Sequence, residues 1–519
     1  MNGNLWSVFE NIAATRGDHP ALIAGSQRIS FRELKAEAER FSRVMAARGL
    51  SRGERCVVWA GNSIEQAACL LAAWRLGAII ALVHDEAPLQ HVAHAVRVTA
   101  PKLVIVSQVT QAAAASLDAE QLLLGDAHLD ADPIPVTGGA FANEPASIFF
   151  TSGSTGSPKG VTQSHATLLA GCRMVAEHLG LRPDDTILCP VPWAFDYGYG
   201  QLLSTVLLGV TQVLPHGKSS IHLCETIEQH RPTVLAGLPS IFALLFRGIS
   251  PVRTTDLSSI RLITNTGGPI SAAIFSDVVS YFRNSEISLN YGMTETYRSA
   301  GLPMHLAREV PGSVGFAYPG VDLTILRDDE TEAAPGEVGQ IIHRGAGTFM
   351  GYWGDPEATA RILRPDPLWR HSTLAAPLVV FTGDMGWKDE RGRLFIQGRR
   401  DRQIKVMGVR VGLDEVENIL RKSGRVREVA VISLPHEIVG DMIIAAATFD
   451  GDEAEGMAKL KAFCRDEFSA YMLPREFHAL PALPLTPNRK TSYAELKRIV
   501  ENLRQNKPVP GEARNKSLN

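Results

Sequence analysis

Between Thr151 and Lys159 the chain reads TSGSTGSPK, directly after the apolar pair Phe149–Phe150. Glycines let successive backbone N–H groups converge on an anion. The hydroxyls of Thr151, Ser152, Ser154 and Thr155 add donors, and Lys159 adds a point charge. Such a run is either a phosphate cradle or a surface turn rich in Gly and Ser. The Walker loop, G-x-x-x-x-G-K-[ST], does not fit. Counting from Gly153, the second required glycine falls on Pro158, and Lys159 is followed by Gly160. Four further runs carry chemistry: NYGMTET at 290–296, FTGD at 381–384, GRRDRQIKVMGVRV at 398–411, and LPLTPNRKTSY, which presents Lys490 between prolines and polar residues.

These runs need elements to hold them. Before residue 330 strands and helices alternate. RCVVWAG (55–61), AIIALVH (78–84) and KLVIVS (102–107) read as buried strands, and SIEQAACLLAAWRLG (63–77) as a helix with a Ser cap and a Gly stop. The pattern recurs at TILCPVP, TQVLPH, TVLAGLP, RLITNTGG and ISLNYGM. Continuous apolar strands separated by helices predict a parallel sheet covered on both faces. From about Gly336 short alternating runs predict antiparallel β structure. A small α+β unit follows. The expected fold is therefore a large N-terminal multi-sheet α/β body with a β-rich subdomain, spanning 1–400, and a small mobile α+β domain spanning 401–519, frayed after 506.

Composition narrows the class. At 519 residues the chain exceeds one ordinary core. Its 52 basic and 55 acidic residues nearly balance, which argues against a nucleic-acid footprint. The most apolar window, Ala67 to Val83, is short and contains Arg75, so it reads as a buried helix entering a strand and no membrane span is expected. Six scattered cysteines without a C-x-x-C pair read as reduced core thiols, and the N-terminus has no secretory pattern. A cytoplasmic location is expected.

Together the five runs, in this order, resemble the adenylate-forming ligases: acyl- and aryl-CoA synthetases, luciferases and the adenylation domains of nonribosomal peptide synthetases. FDYGYGQLL, YGMTETYRS and APGEVGQIIHRGAGTFMGYW look similar to a bacterial subgroup of AMP-forming acyl-CoA ligases. The resemblance covers nearly the whole chain and implies two half-reactions. A carboxylate attacks the α-phosphorus of ATP and expels pyrophosphate; a thiol then attacks the acyl-adenylate and expels AMP. By resemblance, Thr151, Ser152, Gly153, Ser154, Thr155, Gly156 and Lys159 grip the β- and γ-phosphates. Tyr291 stacks on adenine, with Gly267, Asn290 and Gly292 beside the nucleotide. Thr294 contacts the α-phosphate, Glu295 holds Mg²⁺, Asp384 accepts the ribose hydroxyls, and Arg399 reaches ribose or phosphate. Lys490 bridges the carboxylate and the α-phosphate. Arg489 stands where family members often have Gly and Ser492 where many have Asp; LTPN before them keeps the register. Asp401 is the implied hinge, and the face carrying Lys405 and Gly408 serves the thiol half-reaction, with Gly408 lining a pantetheine path.

The acyl pocket implied by the resemblance comprises Phe195, Asp196, Tyr197, Gly200, Gly237, Thr264, Thr266, Arg298 and Ser299. Asp196 could meet a substrate ammonium, because a buried carboxylate without a cation is costly. Arg298 could instead be its partner, which favours a neutral or hydroxylated acyl group. Gly200 and Gly237 are expected to leave room and Tyr197 to take some away, so a small acid is expected, with an amino acid slightly ahead. Since the chain stops soon after Lys490, a stand-alone ligase is expected. Its acceptor would be CoA or the phosphopantetheine of a separate carrier protein. An adenylate-former that uses a non-thiol acceptor stays open.

Overall fold

The computed structural model describes residues 3–124, 139–151, 158–247, 249–268, 270, 272–302, 304–306, 309–310, 312–406, 409–436, 440–468, 472–486 and 490–505. The chain forms two compact units that divide between Ile396 and Gln397.

In the larger unit a seven-stranded sheet has Ile79–Val83 at its centre, and Arg55–Trp59 runs parallel to it on one side and to Leu103–Val106 on the other. All five residues of Ile79–Val83 are buried, as a strand covered on both faces requires. The helix Ile64–Leu76 joins two of these strands. Ser63 caps it by accepting from the Gln66 N–H, and Gly77 ends it at φ +71, where a side chain is strained. The apolar window 67–83 is thus a buried helix and strand. Farther along this sheet, Ile79–Val83 pairs with Pro145–Thr151, which turns back antiparallel onto Lys159–Ser164.

A fourteen-stranded sheet forms the rest of the body. One half is parallel: Thr211–Leu214, Thr186–Leu188, Val234–Gly237, Leu262–Asn265 and Glu286–Tyr291 lie side by side. Beyond this parallel run, antiparallel pairing begins at Ala300–Leu302, earlier than the Gly336 expected from sequence, and continues through Ser313–Ala317 into the strands around Gly339–Gly345 and Leu378–Lys388. The strand at 300–302 is three buried residues and that at 313–317 is only five, so they show too little alternation to read.

The smaller unit is α+β. Five strands, centred on Glu428–His436 paired with Gly440–Thr448, pack against Leu413–Lys422, Glu453–Glu467 and Tyr493–Gln505. Arg402 is its electrostatic anchor. Its guanidinium meets Asp414 and Glu417, donates to the Val431 carbonyl and stacks over the Tyr493 ring at 3.7 Å. All six cysteines are buried and unbridged, and no helix among the described residues is long and apolar enough to cross a membrane.

Two histidines of the body, His165 and His343, are fully buried, and burial pulls each down to about 4. His343 Nε2–H donates to the Ala346 carbonyl at 2.9 Å, so its Nδ1 accepts from the Ser299 hydroxyl at 3.1 Å and the ring is neutral. His165 Nδ1 accepts from the Leu5 N–H at 3.4 Å. Unfolded imidazole protonates near about 6.5. Below that pH the unfolded chain binds more protons than the folded one, so stability falls as pH drops toward 4 and is fully present above about 6.5. Each ring contributes up to about 3 kcal/mol. Denaturant midpoints should fall steadily from pH 7 to 5, and less steeply in His343→Asn; a flat profile in the parent contradicts the assignment.

Candidate active site

The two ends of the Gly/Ser/Thr run are fixed by the hairpin in which Thr151 pairs with Lys159. Ser152, Gly153, Ser154, Thr155 and Gly156 lie outside the described residues. The loop's exit is held where His94 Nε2 donates to the Pro158 carbonyl at 2.8 Å. The Lys159 ammonium stands over the Tyr352 ring at 5.1 Å, and the Tyr352 hydroxyl donates to Glu295 Oε1 at 2.7 Å. A second tie runs from Gln163, whose amide donates to the Thr294 carbonyl at 2.7 Å. Thus the hairpin and the YGMTE run meet across the two sheets of the body.

YGMTE itself leaves the end of the strand Glu286–Tyr291, whose parallel neighbour is Leu262–Asn265. Asn290 donates to the Asn265 carbonyl at 3.1 Å and accepts from the Tyr318 hydroxyl, which locks the strand end. The Tyr291 hydroxyl donates to Asp384 Oδ2 at 2.5 Å. Gly292 allows a tight reversal, since a Cβ there would lie 2.8 Å from Arg298 Cα. Tyr297 holds a left-handed backbone at φ +58, a strained position for a buried aromatic that the packing around it must enforce. Gly267, at φ +82, passes the Leu238 side chain closely.

Arg298 follows that strained residue and is almost fully buried. Its Nη1 reaches Asp196 Oδ2 at 3.3 Å and the Tyr297 carbonyl at 2.5 Å, and the guanidinium lies 4.9 Å from the Tyr197 ring centre. Asp196 is the first residue of the helix Asp196–Leu208, after the N-cap Phe195, where the helix dipole also favours a carboxylate. The Tyr197 hydroxyl bonds to Thr264, and burial pushes this phenol above its usual range. Ser299 joins Thr296 to His343 through hydroxyl contacts of 2.9 and 3.1 Å. Thr264 and Thr266 are buried.

Neither glycine opens the space expected of it. A Cβ at Gly237 would lie 2.3 Å from the Phe242 ring, and one at Gly200 would lie 3.1 Å from the Tyr297 hydroxyl. Aromatic side chains already fill both directions.

In the smaller unit, Arg399 donates its backbone N–H to Asp414 at 2.8 Å and its Nε to Asp401 at 3.4 Å. Lys405 lies on the strand Gln403–Val406, opposite Arg410, and Gly408 lies outside the described residues. Lys490 is exposed on a reversal closed by the Leu485–Thr491 bridge, and its carbonyl accepts from the Thr486 N–H at 2.7 Å. The structure therefore gathers the 151–159 ends, 290–299, Asp196, Tyr197, Thr264 and Asp384 in one unit and holds Arg399, Asp401, Lys405 and Lys490 in the other. Sequence reasoning passed over Gln163, Tyr352, His343 and His84, whose ring stacks on Phe195 at 5.7 Å. Tyr352, in the MGYW run, was the most readable of the four.

A fold of this kind with such a turn at a strand end defines a class of nucleotide-activating ligase, and the comparisons agree. Residues 9–353 match the AMP-binding enzyme family and residues 415–490 match the AMP-binding enzyme C-terminal domain. The chain belongs to this family. It is 26% identical to gramicidin S synthase 2 of Brevibacillus brevis over 96% of its length, but spans 11% of that protein. It is 28% identical to 2-succinylbenzoate–CoA ligase of Geobacillus kaustophilus, covering 93% of this chain and 96% of that one. Among solved structures, ATP-bound MatB from Rhodopseudomonas palustris superposes with a TM-score of 0.86 at 25% identity, covering 97% of this chain and 100% of that one.

Removing the charge of Asp196 leaves the Arg298 guanidinium buried without its counter-ion. A fully buried pair broken this way costs roughly 3–5 kcal/mol. Since the Asp196 side chain is 25% exposed, solvent offsets part of this, and Asp196→Asn should cost about 1–2 kcal/mol. A double-mutant cycle with Arg298→Met, read from unfolding midpoints, should show positive coupling. Strictly additive losses would mean that the two side chains do not depend on each other.

Proposed function

We propose that the chain adenylates a small carboxylic acid whose acyl part carries no net charge, neutral or hydroxylated, and transfers it to the thiol of CoA. The observation that carries the substrate reading is the Asp196–Arg298 pair. With each charge met by the other, neither Asp196 nor Arg298 is left to meet a substrate ammonium or a second substrate carboxylate. The filled directions at Gly200 and Gly237 support a short acyl group. CoA as acceptor is supported by the relatives matched end to end, which are named as CoA ligases.

In the first half-reaction a carboxylate oxygen bonds to the α-phosphorus of ATP while the bond to the bridging oxygen breaks and pyrophosphate leaves. Thr151 and Lys159, with the loop between them, hold the departing phosphates, and Thr294 positions the α-phosphate. Asp384 receives the ribose hydroxyls beside Tyr291, and Lys490 supplies a cation to the charge that develops in flight. The site suits Mg²⁺: Glu295 is a buried carboxylate, and the nearby Gln163 Oε1 is a buried oxygen with no hydrogen-bond partner, a hard-oxygen donor set. Mg²⁺ held by Glu295 would neutralise part of the phosphate charge. In the second half-reaction the CoA sulfur attacks the acyl carbon, AMP departs, and the thiol proton passes to solvent. Arg399 on the nucleotide and Lys405 and Gly408 on the thiol side belong to the smaller unit, with Asp401 as the hinge between the two half-reactions.

Pyrophosphate exchange into ATP, run across amino acids, hydroxy acids, dicarboxylic acids and simple short acids, tests the substrate. Uncharged or hydroxylated short acids should drive it; exchange driven by amino acids alone would sink the reading. Product trapping with CoA identifies the acceptor. In the same assay Lys490→Ala should lose about a hundredfold or more of exchange, while keeping most of the thiol step from supplied acyl-adenylate. Equal loss of both steps contradicts separate use of Lys490.

A further inference from the structure

Away from the nucleotide and acyl residues, the turn that joins Thr211–Leu214 to the helix Ser220–His230 gathers two imidazoles and a carboxylate. One nitrogen each of His216 and His222 and one oxygen of Glu225 lie within 4.8 Å of one another, and no other such trio of His, Cys, Asp and Glu occurs among the described residues. The local sequence explains the convergence. Ser219 starts the helix by accepting from the His222 N–H at 3.2 Å. His222 and Glu225 are three residues apart and share a face. His216 arrives from the preceding loop, its ring 4.6 Å from that of His222 and its Nε2 3.0 Å from Glu225 Oε2.

Two features hold the rings in place. A Cβ at Gly217 would lie 1.9 Å from His222 Nδ1, so the absence of a side chain there lets the ring settle on the turn. The Ser219 hydroxyl lies 3.0 Å from the same nitrogen, the kind of outer partner that orients a ligating imidazole. Lys218, the cation within the turn, is held in an ion pair with Glu86 at 2.6 Å.

We propose that His216, His222 and Glu225 bind one Zn²⁺ ion, with solvent completing its shell. Two imidazoles and a carboxylate are donors for Zn²⁺ or a neighbouring transition metal, whereas Mg²⁺ selects oxygen alone. Bonds of about 2.0–2.1 Å in a tetrahedral shell put ligand atoms about 3.3 Å apart. The His216–Glu225 pair, at 3.0 Å, already has that spacing. Both side chains are exposed enough, at 38% and 53%, to rotate toward a common ion. On binding, the proton shared between Nε2 and Oε2 is released to solvent and the metal takes its place. The ion would clamp the first turns of the helix to the end of the strand.

The test uses untagged, full-length protein stripped with a chelator, titrated with Zn²⁺ against a chromophoric competitor. One equivalent should bind, undisturbed by millimolar Mg²⁺, and Glu225→Gln should weaken it by about tenfold or more. The His216→Asn/His222→Asn double variant should lose that equivalent while melting like the parent in chelator and keeping its ATP–pyrophosphate exchange. Zn²⁺ should raise the melting temperature of the parent only. An unchanged stoichiometry in the double variant places the ion elsewhere and overturns the proposal, as does the absence of saturable binding by the parent. Should the double variant not fold, Glu225→Gln carries the decision.

Discussion

A guanidinium buried inside the larger unit must be surrounded by groups that answer its charge, and Arg298 imposes that demand on two elements at once, a helix start and a turn. Asp196 comes from the start of a helix, the Tyr297 carbonyl from the turn after a strand, and the Tyr197 ring from the same helix as Asp196. None can move without leaving a cation desolvated. The strained backbone at Tyr297 belongs to the same arrangement. That residue carries a left-handed φ while its ring packs against Gly171, where a Cβ would sit 2.6 Å from it. The turn 292–299 is therefore held from several sides.

From that turn, contacts run to both sheets of the body. Ser299 leads through His343 to the Ala346 carbonyl. Glu295 leads through the Tyr352 hydroxyl to the ring under Lys159, and Thr294 leads to Gln163 on the strand after the Gly/Ser/Thr run. In the proposed chemistry these ties matter because pyrophosphate, metal and acid must be held together against the repulsion of their charges. A carboxylate that is buried and hydrogen-bonded before an ion arrives needs little reorganisation when it does.

Much of the body was legible because its rules are local. Ser63 and Gly77 bound a helix by capping and by tolerance of positive φ, and the all-apolar strands either side announce a sheet covered on two faces. The onset of antiparallel pairing at Ala300 was not legible, because three-residue buried strands carry no alternation. Among site residues, the runs with several chemical groups in sequence stood out, while Gln163, His84 and His343 did not. Each is a single polar residue whose meaning comes from a partner distant in the chain: Thr294, Phe195 and Ser299.

By itself the sequence determined the order of the elements, the class of chemistry and the residues able to take part, since spacing, glycine placement and residue type are properties of short segments. It left open whether Asp196 meets a substrate amine or Arg298, and it suggested that Gly200 and Gly237 leave room. Only the tertiary structure shows the Asp196–Arg298 contact and the packing beside the two glycines. Asp196 and Arg298 are separated by about a hundred residues yet lie 3.3 Å apart, and Phe242 and Tyr297 already occupy the space beside the two glycines. Charge compensation and excluded volume depend on distances between segments, and those distances exist only once the sheets have assembled.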